Sequence, residues 1–258
     1  MFVLLELIDL FTSTMCYSPF VSLAFAIFGG ISTCVAYSKP VLRKNYVFVY
    51  TAFYAFMELT QTIQYMFVNQ CGLWQNVWLT ELAYILVIIQ PLMFHTVFYL
   101  RCRSVEGRSI FKVAITMFCI WMCCSILGRV LYDESNADAN ADAVKWSYLY
   151  SNQTCTLRDT ATSHLYWQWK SRNLYDMNAN YFSYLLIWFV PPWFVPKERL
   201  TIFSVILSFM IGLFLTLKYG KLEENPSTWC FVSAPFCIFM YVNEIKGFLC
   251  GRLHAKSQ

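Results

Sequence analysis

Seven mostly apolar runs, most of them close to 20 residues long, constrain this chain more than any other feature of its sequence. A helix needs roughly 20 apolar residues to cross the hydrocarbon core of a bilayer. Charged residues make up only 13% of the chain, too few to cover a water-facing surface. The sequence therefore predicts an all-α bundle of seven transmembrane helices. The predicted spans are residues 19–38, 46–68, 77–100, 110–131, 181–195, 200–217 and 228–245.

Lys and Arg are concentrated in alternate connections between these runs, at positions 39–44, 101–112, 197–199 and 246–256. Short loops rich in these residues stay on the cytoplasmic side of a membrane. We therefore expect the N-terminus outside and the C-terminus in the cytoplasm, with the whole chain forming a single membrane domain. Its predicted parts are an outer interfacial segment (1–18), helices one to four (19–131), a long outer loop (132–180), helices five to seven (181–245) and a cytoplasmic tail (246–258).

The outer connections have features that favour an oxidising, extracytoplasmic location. Cys71 and Cys155 are the lone cysteines of the first two outer connections, so we expect a disulfide between them. Asn152 begins an Asn-Gln-Thr triplet, which is a glycosylation acceptor. The acidic, Ala- and Asn-rich stretch 133–142 is typical of a loop. The aromatic remainder of the long loop is expected to lie on the membrane surface or to cap the bundle.

Polar side chains follow one face of the second run and continue on the third. Glu58 lies near the middle of its run, Gln61 follows at i+3, and Gln64 extends the stripe toward the outside. On the third run, Gln90 lies at about the depth of Glu58, and His95 lies nearer the cytoplasm. A mid-membrane carboxyl group must be protonated, paired or next to water, and no Lys or Arg occupies the centre of a predicted span. We predict that these five residues face one another in a polar core.

A structural interpretation of the same residues stays open. A hydrogen-bonded polar seam would fix helix pairing, at about 0.6 kcal/mol for each bond. His95 would then bond a backbone carbonyl instead of relaying protons.

Glu81, in the outermost turn of the third run, would reach headgroups or water, or receive cations at an outer mouth. Pro191 and Pro192 are expected to kink or unwind the inner end of the fifth helix.

Several functional classes lack the residues they need. A retinal pigment requires a mid-span lysine, and the seventh run has none before Lys246. A membrane zinc hydrolase requires several intramembrane histidines, whereas His95, His164 and His254 fall in a helix, an outer loop and the tail. The chain has no nucleophile elbow, Gly-rich phosphate loop or nucleic-acid-binding motif. We therefore expect no metal, cofactor or nucleic acid, and the sequence gives no basis for an enzyme.

The layout is similar to that of seven-helix receptors, but the receptor motifs are not matched. Tyr99-Leu-Arg101-Cys-Arg103 replaces the acidic-Arg-Tyr pattern of rhodopsin-like receptors at the inner end of the third helix. Asn225-Pro226 precedes the seventh run, whereas those receptors carry Asn-Pro near its inner end. The resemblance is one of layout only.

Three short motifs resemble an uncharacterised family of multi-pass membrane proteins from giant DNA viruses and protists. They are Met57-Glu-Leu-Thr-Gln61, Ile89-Gln-Pro91 and Trp229-Cys230. The resemblance implies a membrane protein and no particular activity.

The leading hypothesis from the sequence is a channel or transporter for protons, small cations or a small polar solute. Glu58 would be its central ionisable site, and its partners would be the lipid bilayer and the transported species. A receptor-like binding protein and a non-catalytic viral or cellular membrane scaffold are the alternatives. Homo-oligomer formation is left open.

Overall fold

Helices account for most of the chain that the computed structural model describes. The segment before residue 18, the whole acidic stretch, Asn152, most of the seventh run and the C-terminal tail lie outside the described residues. The described residues are 18–130, 150–151, 153–159, 164–170, 181–219, 224–225, 228–229 and 232–233.

Helices occupy the first six predicted runs. They are α1 (Pro19–Ser38), α2 (Val47–Gln64), α3 (Trp74–Arg101), α4 (Val105–Val130), α5 (Tyr181–Trp193) and α6 (Arg199–Tyr219). A short helix (Pro40–Lys44) joins α1 to α2, and a 3₁₀ turn (Pro196–Glu198) precedes α6. Both ends of α1 match the prediction, because one proline opens its first turn and another opens the short helix after it. The helix α2 ends four residues earlier than predicted.

The outer surface of the bundle is apolar. Four described stretches are long and apolar enough to cross a membrane: Pro19–Ser38, Trp74–Arg101, Val105–Leu127 and Pro196–Lys218. Large exposed apolar side chains line α1, α4 and α6, among them Phe20, Ile27, Ile31, Val113, Met117, Ile120, Phe203, Met210 and Phe214. Exposed apolar patches of this extent mark contact with a membrane or another protein. The described helices are thus compatible with an integral membrane protein.

The pair α1 and α2 packs as a close antiparallel hairpin. Gly29 allows the close approach, since a Cβ atom there would lie 2.8 Å from the Cβ of Ala55. One turn further along, the hydroxyl of Thr33 donates a hydrogen bond to that of Thr51 over 3.0 Å. Small residues that bring helix backbones together are the usual solution to packing in lipid.

The described part of the long loop forms a small sheet, which corrects the all-α expectation. The strands are β1 (Tyr150–Ser151), β2 (Cys155–Arg158) and β3 (Leu165–Lys170), in the order β1-β3-β2. Strand β3 pairs parallel to β1 and antiparallel to β2, with Cys155 opposite Gln168. Both β2 and β3 pack on α3, so the aromatic loop caps the bundle. The end of the bundle that carries β1–β3 is called the sheet end below.

Aromatic rings fill the space between α3, α4 and α5. Phe94 packs against Trp188, with ring centroids 5.2 Å apart, and both side chains are buried. Tyr184 contacts Trp121 and Trp188 in the same cluster. The expected break at the end of α5 is present, because the helix ends at Trp193, directly after its two prolines.

Candidate functional site

Glu58 is a buried carboxyl group at the interface of α1 and α2. Its side chain is 1% exposed, and the hydroxyl group of Ser22 on α1 faces it. Neither carboxyl oxygen has a hydrogen bond of normal geometry to any described residue. A buried polar group without a partner costs free energy, so a carboxyl group in this state needs a proton, a ligand or water.

The depth of Glu58 differs from the prediction. The longer predicted run placed this residue near its midpoint, but α2 ends at Gln64. Glu58 therefore lies six residues before the end of the helix, or about 9 Å at 1.5 Å per residue. Gln64 contacts the sheet, so this end of α2 is at the sheet end. The carboxyl group is closer to the sheet end than to the opposite end of α2.

Two glutamines continue the polar stripe from Glu58 toward the sheet end. Gln61 is buried one turn away, and its Nε2 has no hydrogen-bond partner among the described residues. Both polar atoms of the Gln64 side chain are hydrogen-bonded. Its Nε2 donates to Leu79 O over 2.9 Å, and its Oε1 accepts from Trp167 Nε1 over 3.1 Å. The indole of Trp167 on β3 thus covers the last residue of the stripe.

Gln90 takes part in the repair of a proline break in α3. Pro91 has no N–H, so it leaves the carbonyl of Val87, four residues earlier, without its helical partner. The hydroxyl of Tyr184 on α5 donates to Val87 O over 2.8 Å and to Gln90 Oε1 over 3.2 Å. The Nε2 of Gln90 points to Met57 Sδ at 2.9 Å. Gln90 therefore connects α3 to α5 through Tyr184 and contacts α2 at Met57.

His95 makes the reciprocal contact from α3 to α5. Pro191 leaves the carbonyl of Ile187 without its helical partner, again four residues earlier. His95 Nε2 lies 2.9 Å from Ile187 O, a bond that requires a proton on Nε2. The ring packs near Phe98 and Phe111. The structure therefore agrees with the backbone-carbonyl interpretation of His95.

The five predicted core residues thus separate into two groups. Gln64, Gln90 and His95 have partners in the sheet, at Leu79 on α3, on α5 or at Met57. Glu58 and Gln61 remain as neighbours on one face of α2, each with a buried polar atom that lacks a partner among the described residues, and Nδ1 of His95 lacks one as well. The two proline breaks bring Tyr184 and His95 into contacts between α3 and α5, and the arrangement of all five residues around one polar core stays a prediction.

Glu81 attaches the sheet to α3. Thr154 donates a hydrogen bond to Glu81 Oε1 over 3.1 Å. Nearby, Asn76 Nδ2 donates to Thr156 O over 3.0 Å and Asn76 Oδ1 accepts from Thr156 N over 2.9 Å. The structure also links Cys71 to Cys155 by a disulfide, as the sequence predicted. The sheet is therefore fixed to α3 and to the α2–α3 connection by covalent and polar contacts.

An ion pair closes the opposite end of the bundle. Arg101, the last residue of α3, pairs with Glu198 of the 3₁₀ turn, and its Nε lies 3.0 Å from Glu198 Oε1. The same guanidinium group donates to Thr201 Oγ1 over 3.2 Å. Both charged side chains are nearly buried, so the pair fixes α3 against the start of α6.

His164 connects the sheet to the start of the seventh run. Its Nδ1 lies 3.5 Å from Glu224 Oε2 and 3.3 Å from Thr228 Oγ1. Burial lowers the pKa of His164 to about 4, although the charge of Asp159 acts in the opposite direction. In the part of the chain that the structure describes, no group of three or more His, Cys, Asp or Glu side chains is arranged to hold a metal ion.

Residues 20–250 match a family described as Family of unknown function (DUF5765). The chain belongs to this family. A relative described as Uncharacterized protein R287, from Acanthamoeba polyphaga mimivirus, is 26% identical over 251 residues, covering 90% of this chain and 98% of the relative. No solved structure matches the chain. The DUF5765 match and the viral relative agree with the family resemblance of the three short motifs, and neither description includes an activity.

Several residues of this DUF5765 protein that shape the site were not singled out from the sequence. Ser22 and Tyr184 carry no signal of their own, because serine and aromatic residues are common in apolar runs, whereas Trp167 belongs to the aromatic loop that the sequence predicts to lie on the membrane surface or to cap the bundle. A usable signal was present for the strands. Leu165–Lys170 reads Leu-Tyr-Trp-Gln-Trp-Lys, and such aromatic-rich segments favour strands. For Tyr184 and His95, the signal was a proline inside each of two helices. Each proline leaves a backbone carbonyl without its helical donor, and a side chain must then donate to it.

Proposed function

We propose that this DUF5765 protein is an integral membrane protein that passes protons, small cations or a small polar solute across the membrane. Glu58 would be its central ionisable site, and Gln61 would orient the bound species. The observation that carries the proposal is the buried Glu58 carboxyl group, whose two oxygens make no hydrogen bond of normal geometry to a described residue, although the Ser22 hydroxyl faces them. Ionisable groups inside membrane helices are expensive and are typical of ion pathways and proton relays.

The proposal includes the seven-helix topology, with the N-terminus outside and the C-terminus in the cytoplasm. Four apolar spans and an apolar outer surface support a membrane location. The disulfide supports an oxidising environment at the sheet end, which is the outer side in this topology. Asn152 would then be available for glycosylation.

Packing alone gives a weak account of Glu58. Gln64 holds the sheet, His95 bonds the carbonyl freed by Pro191, and Gln90 accepts from Tyr184, so each of these three side chains has a hydrogen bond that favours its burial. Glu58 makes no such bond, and an apolar residue of similar size would pack at lower cost. A ligand or proton that uses the carboxyl group accounts for the presence of an acid at this position.

The test is ion flux in liposomes that contain the purified protein, with wild type compared with Glu58→Gln. We expect flux that falls at least tenfold in Glu58→Gln and is unchanged in the matched control Glu106→Gln, an exposed carboxylate in the first turn of α4. Equal flux in wild type and Glu58→Gln would contradict the role of Glu58. Circular dichroism and gel filtration would establish that each variant folds.

A receptor-like binding protein is the second candidate, and the filled bundle centre favours it. Phe94, Trp188 and Tyr184 are buried and in contact with one another there. In that case the sheet would meet a ligand, and the basic connections would meet a cytoplasmic partner. No flux in wild-type protein that is folded and inserted would favour this candidate over transport.

A further inference from the structure

The seam between α1 and α2 is tightly closed on one side of Glu58. Toward the end opposite the sheet, Gly29 leaves no room against Ala55, whose Cα would lie 3.1 Å from an added Cβ. The hydrogen bond between Thr33 and Thr51 closes the next turn. A species bound at Glu58 therefore has no open route along this seam toward the opposite end.

Polar side chains lie between Glu58 and the sheet end, which is close to the carboxyl group. Ser22, which faces the carboxyl group, is three residues from the start of α1, or about 4.5 Å along the helix axis. Gln61 lies one turn closer to the sheet end than Glu58, with its Nε2 lacking a partner among the described residues. Two polar side chains thus lie between Glu58 and the sheet end.

The oxygen atoms around Glu58 suit a proton better than a metal cation. Ca²⁺ takes six to eight oxygen ligands and Mg²⁺ takes an octahedral set, with waters counted among them. Glu58 and Ser22 together offer three side-chain oxygens, and nearby hydroxyls already donate to backbone carbonyls of their own helix, as Thr62 does to Glu58 O over 2.8 Å. A proton needs only one carboxylate oxygen. Its binding converts the carboxylate to a neutral acid, with no other bond made or broken.

We propose that Glu58 is a proton-binding site that exchanges with the sheet end of the bundle past Ser22 and Gln61. The inference rests on the proposed function and narrows it, since it names the proton as the bound species and one side as its entrance. The tight α1–α2 seam makes the site one-sided in this conformation. Release to the opposite side would require α1 and α2 to separate near Gly29.

The first test is labelling by an apolar carbodiimide, which reacts with protonated carboxyl groups in membranes, followed by mass spectrometry of the labelled peptide. We expect label on Glu58 that increases as the pH falls, and none at Glu198, which is paired with Arg101. Sodium, potassium and magnesium ions should leave the labelling rate unchanged. Protection of Glu58 by one of these cations, or no label on Glu58 in folded protein, would overturn the proton assignment.

Labelling does not depend on transport, so the two proposals fail separately. Label on Glu58 without any proton flux would contradict the transport proposal and support the proton site. Two results together would support the transport proposal and contradict the proton site. They are a cation flux that is lost in Glu58→Gln and protection of Glu58 from the label by that cation.

A second test addresses the side from which the site is reached. Ser22→Cys is treated with a membrane-impermeant maleimide, and Arg103→Cys reports the opposite end, because Arg103 is exposed between α3 and α4. We expect Ser22→Cys to react only from the side at which Arg103→Cys is protected. Reaction of both cysteines from the same side, or no reaction of Ser22→Cys in folded protein, would overturn the sheet-end entrance.

Discussion

The contact between Tyr184 and the proline break of α3 gives a sharp test of the packing argument. The Tyr184 hydroxyl donates to Val87 O, which Pro91 has deprived of its helical N–H. A buried carbonyl left without a donor costs about 1–3 kcal/mol, although side-chain hydrogen bonds in membranes average nearer 0.6 kcal/mol. We expect Tyr184→Phe to lower the free energy of unfolding by about 1–2 kcal/mol. Restoring the backbone donor with Pro91→Ala should reduce that cost by roughly half or more, because Val87 O regains its own partner.

The double-mutant cycle is measured by unfolding in detergent micelles, with all four proteins compared under one set of conditions. A loss of 1 kcal/mol corresponds to a fall in melting temperature of about 2–4 °C for a chain of this size. Tyr99→Phe is the matched control, since Tyr99 lies on α3 with its side chain partly exposed, and it should change little. Tyr184→Phe could instead lower the free energy of unfolding equally in the wild-type and Pro91→Ala backgrounds. In that case the Tyr184 hydroxyl does not replace the donor that Pro91 lacks.

Three further predictions concern the α1–α2 seam and the sheet. Gly29→Ala should destabilise the protein by about 1–3 kcal/mol in thermal unfolding, since the added Cβ meets the neighbouring helix, whereas Gly30→Ala, with open space around it, should not. Replacing Cys71 by Ser should cost about 4–5 kcal/mol by the chain-entropy relation, since the disulfide to Cys155 closes a sequence separation of 84, and reduction of the wild type should give the same loss. The free energy of unfolding should fall as the pH drops from about 6.5 toward 4. In this range the unfolded chain binds a proton at His164, whereas in the native state the pKa of His164 is about 4. Thermal unfolding of His164→Asn should show a weaker pH dependence.

The sequence predicted the helices because apolar runs report the length of a span directly. It also predicted the disulfide, since one cysteine lay in each of two outer connections. It could not predict the partners of Gln90 and His95, because these depend on which helices meet. The prolines were visible in the sequence. Tertiary packing, however, decides which donor on one helix meets the unpaired carbonyl on another. The strands of the long loop were missed for a related reason, since β2 and β3 depend on pairing across residues 159–164.

The two proline breaks explain why Glu58 differs from the other polar residues. Val87 O and Ile187 O each require a donor in an apolar core, and Tyr184 and His95 supply those donors in reciprocal directions between α3 and α5. Buried polar side chains in such a bundle are therefore of two kinds: those that satisfy backbone groups, and those that the backbone does not need. No described backbone or side-chain group forms a hydrogen bond of normal geometry with the carboxyl oxygens of Glu58, so Glu58 is of the second kind. A bound proton, as proposed above, would account for an acid that is buried on α2 without serving the backbone, whereas the hydrogen bond to Ile187 O already accounts for the position of His95.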